Sequence, residues 1–315
     1  MKRFICKLFY FTGPLFLIVV LIEFGLRYAI PNDYKYKKAC LDANASRITT
    51  LILGSSHAYF GLNPEYFDSE TYNAAHTSQT IYYDYAIYKK YEKQLTQLKT
   101  VIFPISSFTF YFDIKKEKQQ PFLKNYSLYY DFDKTSFLRY FEITNNRSPL
   151  DLKKITALLS STDSGTLCST SGWGYINKWG KTPTDHLLFL KNSGKIAAKK
   201  HTRDICSKPV QELYTYNLSL LEMLITDCKR HNITILFFTP PAFQTYRDNL
   251  DKKQLQHTIK TIENLVAKHE HCRYINLLDD PRFTANDFYD TDHLNASGAK
   301  KLSTYLNKRT NNTLN

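Results

Sequence analysis

Apolar positions along the chain fall into three patterns, and each predicts a different kind of element. The first is a short unbroken run. Residues 48–53, 71–74, 100–105, 233–238 and 273–276 are short stretches rich in aliphatic, β-branched and aromatic residues, each bounded by polar or helical sequence, and they predict five strands. Runs that do not alternate predict strands covered on both faces, as in a parallel sheet. The second pattern is helical. It covers the tyrosine-rich residues 81–95, a stretch with Leu213, Asn217, Leu220 and Leu224 near helical spacing, and another marked by Leu255, Ile259, Ile262 and Val266. Strands alternating with helices through right-handed crossovers make a three-layer α/β/α sandwich around a mainly parallel five-stranded sheet.

The third pattern is one long apolar stretch near the amino end. Lys2, Arg3 and Lys7 precede an apolar run from Leu8 to about Leu26, interrupted at Glu23. That is about the length needed to cross a bilayer as a helix. Glu23 and Arg27 are four apart and can pair on one helix face, which lowers the cost of the acid. No small-x-small cleavage site follows, so a retained anchor over 1–30 is favoured over a signal peptide. Basic residues lie on both sides of the span, so charge counting leaves the topology open.

Residues 31–45 read as a linker, and the 270 or so residues beyond it, 46–315, are enough to bury one sizeable core. The chain carries a net charge of +13, with lysines gathered at 89–99, 115–124 and 178–203. No recognition motif for nucleic acid accompanies them, and a tethered basic domain more simply faces anionic lipid or envelope polymer. The six cysteines lack metal-ligand spacing, so neither a metal nor a cofactor is expected. Cys228 and Cys272, at the lower edge of adjacent predicted strands, are compatible with a disulfide or with two buried thiols.

Two motifs carry the chemistry. Gly54-Ser55-Ser56-His57 follows the first strand, where the carboxyl ends of parallel strands place functional groups. Far along the chain, Asp290-Thr291-Asp292-His293 precedes the last helix. Taken singly, a Gly-Ser-Ser turn is an ordinary turn and an Asp-x-x-His pair an ordinary helix cap. Together and in this order they resemble the SGNH/GDSL hydrolase family over about residues 46–105 and 209–308. The resemblance implies a flavodoxin-like α/β/α fold, with Ser56 as nucleophile, His293 as general base and Asp290 orienting the imidazole. Asp292, one residue from His293, is expected to point elsewhere. A serine hydroxyl needs such a base to become a nucleophile, and the base needs a fixed tautomer.

The family's other blocks are altered. Ser78 stands where a glycine usually lends its amide to the oxyanion hole beside that of Ser56. After residues 101–105 the family has Gly-x-Asn-Asp, whereas this chain has Ser106-Ser107-Phe108-Thr109. The asparagine donor is missing, and a hydroxyl of Ser106 or Ser107 is the available substitute. Losing one oxyanion donor costs on the order of 100-fold to 1000-fold in rate.

Residues 111–208 form an insertion between the third and fourth strands. It is rich in tyrosine over 126–132 and has tryptophans at Trp173 and Trp179. Such rings suit either a sugar-binding platform over the site or a small core of the insertion itself. The resemblance implies an extracytoplasmic serine esterase or O-acyltransferase acting on acyl esters of an envelope glycan, in partnership with a membrane-bound O-acyltransferase. The alternative is a catalytically weak SGNH-fold protein that binds glycan or supports such a partner.

Overall fold

The computed structural model describes residues 2–29, 31–117, 120–133, 168–175 and 184–311. Two compact units emerge, Met1–Lys38 with Gln119–Leu167, and Ala39–Lys118 with Cys168–Asn315.

In the first unit, helix α1 (Lys2–Ala29) is 28 residues long. Its stretch Arg3–Gly25 has a mean hydropathy of 2.2, long and apolar enough to cross a membrane. Phe9, Phe16 and Phe24 are exposed along it. The Arg27 guanidinium meets the Glu23 carboxylate at 2.6 Å, the pairing that their spacing predicts. Residues 31–45 are not an extended linker, because helix α2 (Asp33–Asn44) occupies most of them. The tyrosine-rich stretch of the insertion packs on itself: Tyr126 meets Tyr34 edge-to-face with centroids 5.0 Å apart, and Phe132 stacks on Tyr130 at 5.5 Å. These rings bury one another as a small core. Trp179 lies outside the described residues.

The second unit is built on a five-stranded parallel sheet. Its strands are β1 (Thr50–Ile52), β2 (Thr71–Asn73), β3 (Thr100–Pro104), β4 (Thr234–Thr239) and β5 (Cys272–Asn276), in the order β2-β1-β3-β4-β5. All five lie within two residues of the predicted strands. β1 and β3 are buried throughout, which is why their sequences carry no polar alternation. β5 is an edge strand, and its middle residues are partly exposed.

The chain leaves β1 toward β2 and then moves the other way across the sheet, so right-handed crossovers put its helices on opposite faces. Helix α3 (Ser56–Gly61) packs with the last helix, α10 (Ala296–Asn311), on one face. Helices α4 (Ile81–Tyr91) and α7 (Lys208–Arg230) pack together on the other, where right-handed crossover also places α9 (Lys252–Ala267). Before them, α5 (Gln120–Tyr129) lies in the insertion and α6 (His186–His201) precedes α7; the short α8 (Gln244–Arg247) follows β4. This is the architecture that the SGNH/GDSL resemblance implies. Cys228 and Cys272 are buried free thiols, so the disulfide alternative falls.

The reversal of strand order between β1 and β3 opens a crevice at their carboxyl ends. At the mouth of that crevice Gly54 has φ +114°, and a Cβ there would lie 2.3 Å from Pro104 Cγ of β3. The turn that presents Ser56 therefore requires glycine on two counts, conformation and close approach. Gly54→Ala is expected to cost on the order of 3 kcal/mol, the sum of backbone strain and overpacking. Urea unfolding of the full chain in detergent measures it, and a loss below about 1 kcal/mol would mean that the turn has room to relax.

Candidate active site

Ser56 is the first residue of α3, held just past β1, and His293 lies in the loop between β5 and α10, 237 residues away. The fold brings them together: His293 Nε2 is 2.8 Å from Ser56 Oγ. On the other side of the ring, His293 Nδ1 lies 2.9 and 3.0 Å from the two Asp290 oxygens. Asp290 Oδ1 also accepts the backbone amides of Asp292 at 3.1 Å and His293 at 2.8 Å. The cap and the imidazole partner are thus one carboxylate, since the turn that caps the backbone also aims the ring at Asp290.

That turn is supported from behind. Asn295 caps the start of α10 by accepting from Ser297 N and Gly298 N, and donates its side-chain amide to the carbonyls of Asn286 and Phe288. Gly298 lies so close to the Asp287 carbonyl that a Cβ would fall 2.1 Å from its oxygen. Inside the sheet, Asn73 of β2 donates to the carbonyls of Ala58 and Leu62, both at 2.8 Å, which fixes α3.

Ser78 has φ +57°, the left-handed region that glycine adopts more readily. Ser78 thus holds a turn conformation that glycine adopts more readily. Neither Ser56 N nor Ser78 N has a hydrogen-bond partner among the described residues. Ser106, by contrast, is drawn away from an oxyanion role, because its Oγ lies 2.7 Å from His57 Nδ1. The Ser107 side chain is buried.

The sequence reading missed a buried carboxylate behind this loop. Asp84 Oδ1 accepts the Gly54 amide and the Gln79 side-chain amide, both at 2.6 Å, so one oxygen ties the serine turn to the residue after Ser78. Burial pushes its carboxyl up to about 7, with the bonds from Gln79 and Gly54 opposing. Its partners Gly54 and Gln79 lie 30 and 5 residues away, outside any helical repeat that could signal the role.

Asp292 corrects an expectation. It does not point elsewhere but lies buried among three imidazoles: its Oδ2 is 3.3 Å from His57 Nε2 and 3.9 Å from His201 Nδ1, and its Oδ1 is 3.8 Å from His293 Nδ1. Burial alone would favour its neutral form, but His293, His57 and His201 outweigh that and hold it well below the usual carboxylate range. For His293, burial disfavours the charged ring, yet Asp290 and Asp292 outweigh it and raise its pKa to about 9. His201 is pushed down to about 4 by burial.

His57, Asp292 and His293 have potential ligand atoms within 4.8 Å of one another, the spacing of a metal site. Those nitrogens are already matched within the protein, His57 Nε2 with Asp292 and His293 Nδ1 with Asp290.

The fold and site together describe an α/β/α sandwich with a serine, a histidine and an aspartate aligned at the carboxyl edge of its sheet. No family model matches the sequence, and no curated protein matches it significantly. Among solved structures the protein is similar to a GDSL-like lipase from Bacteroides thetaiotaomicron VPI-5482, with 8% identity over 90% of this chain and 100% of the other and a TM-score of 0.42. It is also similar to a "putative acylhydrolase" from Bacteroides fragilis NCTC 9343, with 11% identity over 91% and 99% of the two chains and a TM-score of 0.41. Likeness at this level concerns the path of the chain and says nothing of substrate.

Asp84 yields a signed prediction. Its folded pKa lies above the unfolded value of about 3.9, so its contribution to stability is full below that value and is lost as pH rises through about 7. Asp84→Asn keeps an oxygen for Gly54 and Gln79 but does not titrate. Thermal unfolding from pH 4 to 8 should show the wild type losing stability relative to the variant as pH rises. Parallel curves would show that Asp84 does not titrate in this range.

Proposed function

We propose that this protein is a membrane-anchored serine esterase or O-acyltransferase of the SGNH/GDSL type. The alignment of Ser56 Oγ, the His293 imidazole and Asp290 at hydrogen-bond distances carries the reading. Ser56 Oγ attacks the ester carbonyl while His293 Nε2 takes its proton, and Asp290 holds the tautomer and stabilises the imidazolium. The tetrahedral oxyanion is received by the amides of Ser56 and Ser78. Collapse expels the alcohol, which takes the proton from His293 and leaves acyl-Ser56. Water or a second hydroxyl then gives its proton to His293 and attacks the acyl carbon, and collapse breaks the bond to Ser56 Oγ, which takes that proton back from His293. Water gives hydrolysis, and a sugar hydroxyl gives transfer.

The scheme needs neither metal nor cofactor. With two amides instead of three donors, the site fits a specialised acyl transfer better than a general esterase. The apolar α1 supports a single-pass anchor. The family resemblance supports a catalytic domain on the extracytoplasmic side and, as substrate, an acyl ester of an envelope glycan. A tether of this kind suits partnership with a membrane-bound O-acyltransferase. Tyr126 and Tyr130 are fully buried, which takes these two rings out of any sugar platform.

A fluorophosphonate probe tests the proposal without knowledge of the substrate. Salt-washed membranes containing the full chain should carry a labelled band, because salt screens surface lysines but leaves an inserted helix in place. The label should map to Ser56 and vanish in Ser56→Ala. Its rate should climb as pH rises through about 9, where His293 loses the proton that Asp290 and Asp292 help it keep. Labelling that survives Ser56→Ala would move the nucleophile elsewhere.

A further inference from the structure

Behind the Ser56, His293 and Asp290 alignment runs a second line of the same residue types that the scheme above does not use. Ser106, just past β3, is 2.7 Å from His57 Nδ1, and His57 Nε2 is 3.3 Å from Asp292 Oδ2. His57 and Asp292 are buried at 7% and 6% exposure, as is His293 at 8%. The adjoining cavity, lined by His57, Ser106, Tyr246 and Asp292 among others, has about 20 Å³ of room, enough for one water and too little for an acyl group. These residues therefore act on their neighbours, not on substrate.

The neighbour is the base. Asp292 Oδ1 lies 3.8 Å from His293 Nδ1, too far for a hydrogen bond but close for a charge in a buried site. We propose that Asp292 is a second counter-charge to His293, held in place by the chain from Ser106 through His57, and that it governs when His293 is free to take the proton of Ser56. The inference rests on the reading of Ser56 and His293 as nucleophile and base.

Asp292 Oδ2 pairs with His57 Nε2, and Nδ1 on the other side of the ring pairs with the Ser106 hydroxyl. Asp292 is thereby tied through His57 to Ser106 in the turn after β3. Among the described residues, the titratable groups seen to face His293 include Asp290 and Asp292 from its own turn, His57 from α3 and His201 from α6. His201 takes no charge near neutral pH, because burial keeps it neutral, and its Nδ1 is 2.6 Å from the hydroxyl of Tyr246 on α8. Two negative charges therefore favour the imidazolium, but only Asp290 also orients the ring. Removing one should cost alignment, while removing the other should change only the pH at which the base is neutral.

The test measures the pH dependence of fluorophosphonate labelling of the full chain in detergent micelles, with Ser56→Ala as the blank. Asp292→Asn should move the half-point of the rate downward by at least about one pH unit, a roughly tenfold change in the neutral fraction of His293. The plateau at high pH should fall no more than a few-fold. Ser106→Ala, which loosens the chain without removing the charge, should move the half-point the same way by less. A rate scaled down equally at every pH in Asp292→Asn would make its role merely structural and overturn the proposal. Should Asp292→Asn fail to fold, the shift in Ser106→Ala decides, and its absence counts against the chain. NMR titration of the His293 ring in Ser56→Ala protein, with and without Asp292→Asn, reads the same shift independently of labelling. A serine reading that fails, with labelling surviving in Ser56→Ala, is thus told apart from a failure of the second counter-charge, with an unmoved His293 titration.

Discussion

The structure depends on one contact, the 2.8 Å approach of His293 Nε2 to Ser56 Oγ. Neither residue is useful alone, because a serine hydroxyl is a weak nucleophile and a histidine without a target is an ordinary base. Bringing them together requires β1 and β3 buried side by side, a glycine turn tight against Pro104, and the loop after β5 folded back over the sheet edge. The fold serves this contact by supplying rigid strand ends, and its two helical layers supply the burial that keeps those ends in register. Only local turns then need special residues: Gly54 for approach, Ser78 in a left-handed conformation, and Gly298 under the Asp287 carbonyl.

The electrostatic constraint is more severe than the geometric one. Two carboxylates and three histidines meet around one buried point. Ionised carboxylates are expensive to bury unless paired and hydrogen-bonded. The cluster meets this condition by giving each acid a distinct partner, Asp290 to His293 and Asp292 to His57. The consequence is a base that holds its proton more tightly than an ordinary histidine.

Much of the fold was legible in the sequence because fully buried parallel strands leave a plain signature. Residues 48–53 and 100–105 read as strands for the same reason that β1 and β3 are central. That Ser56, Asp290 and His293 would meet was expected from a family resemblance rather than from spacing, since 237 residues separate Ser56 from His293. The role of His57 was not legible, because its partners Ser106 and Asp292 lie 49 and 235 residues away and adjacency to Ser56 says nothing of where its ring points. Asp292 was misread for a related reason. Next to His293 in sequence, its carboxylate reaches a third element that no local pattern reveals. Of the two readings open for the tyrosines at 126–132, the packing of Tyr126 and Tyr130 on each other and on Tyr34 matches the small core.

The central claim is that Ser56 is acylated during turnover. Rapid acid quenching of the full-length protein after mixing with an activated acetate ester, followed by peptide mass mapping, tests it most directly. The account predicts an added acetyl group on the peptide that contains Ser56, appearing within the first turnover and disappearing when the ester is exhausted. An ester that is consumed while that peptide stays unmodified, or an acetyl group confined to another residue, would contradict it.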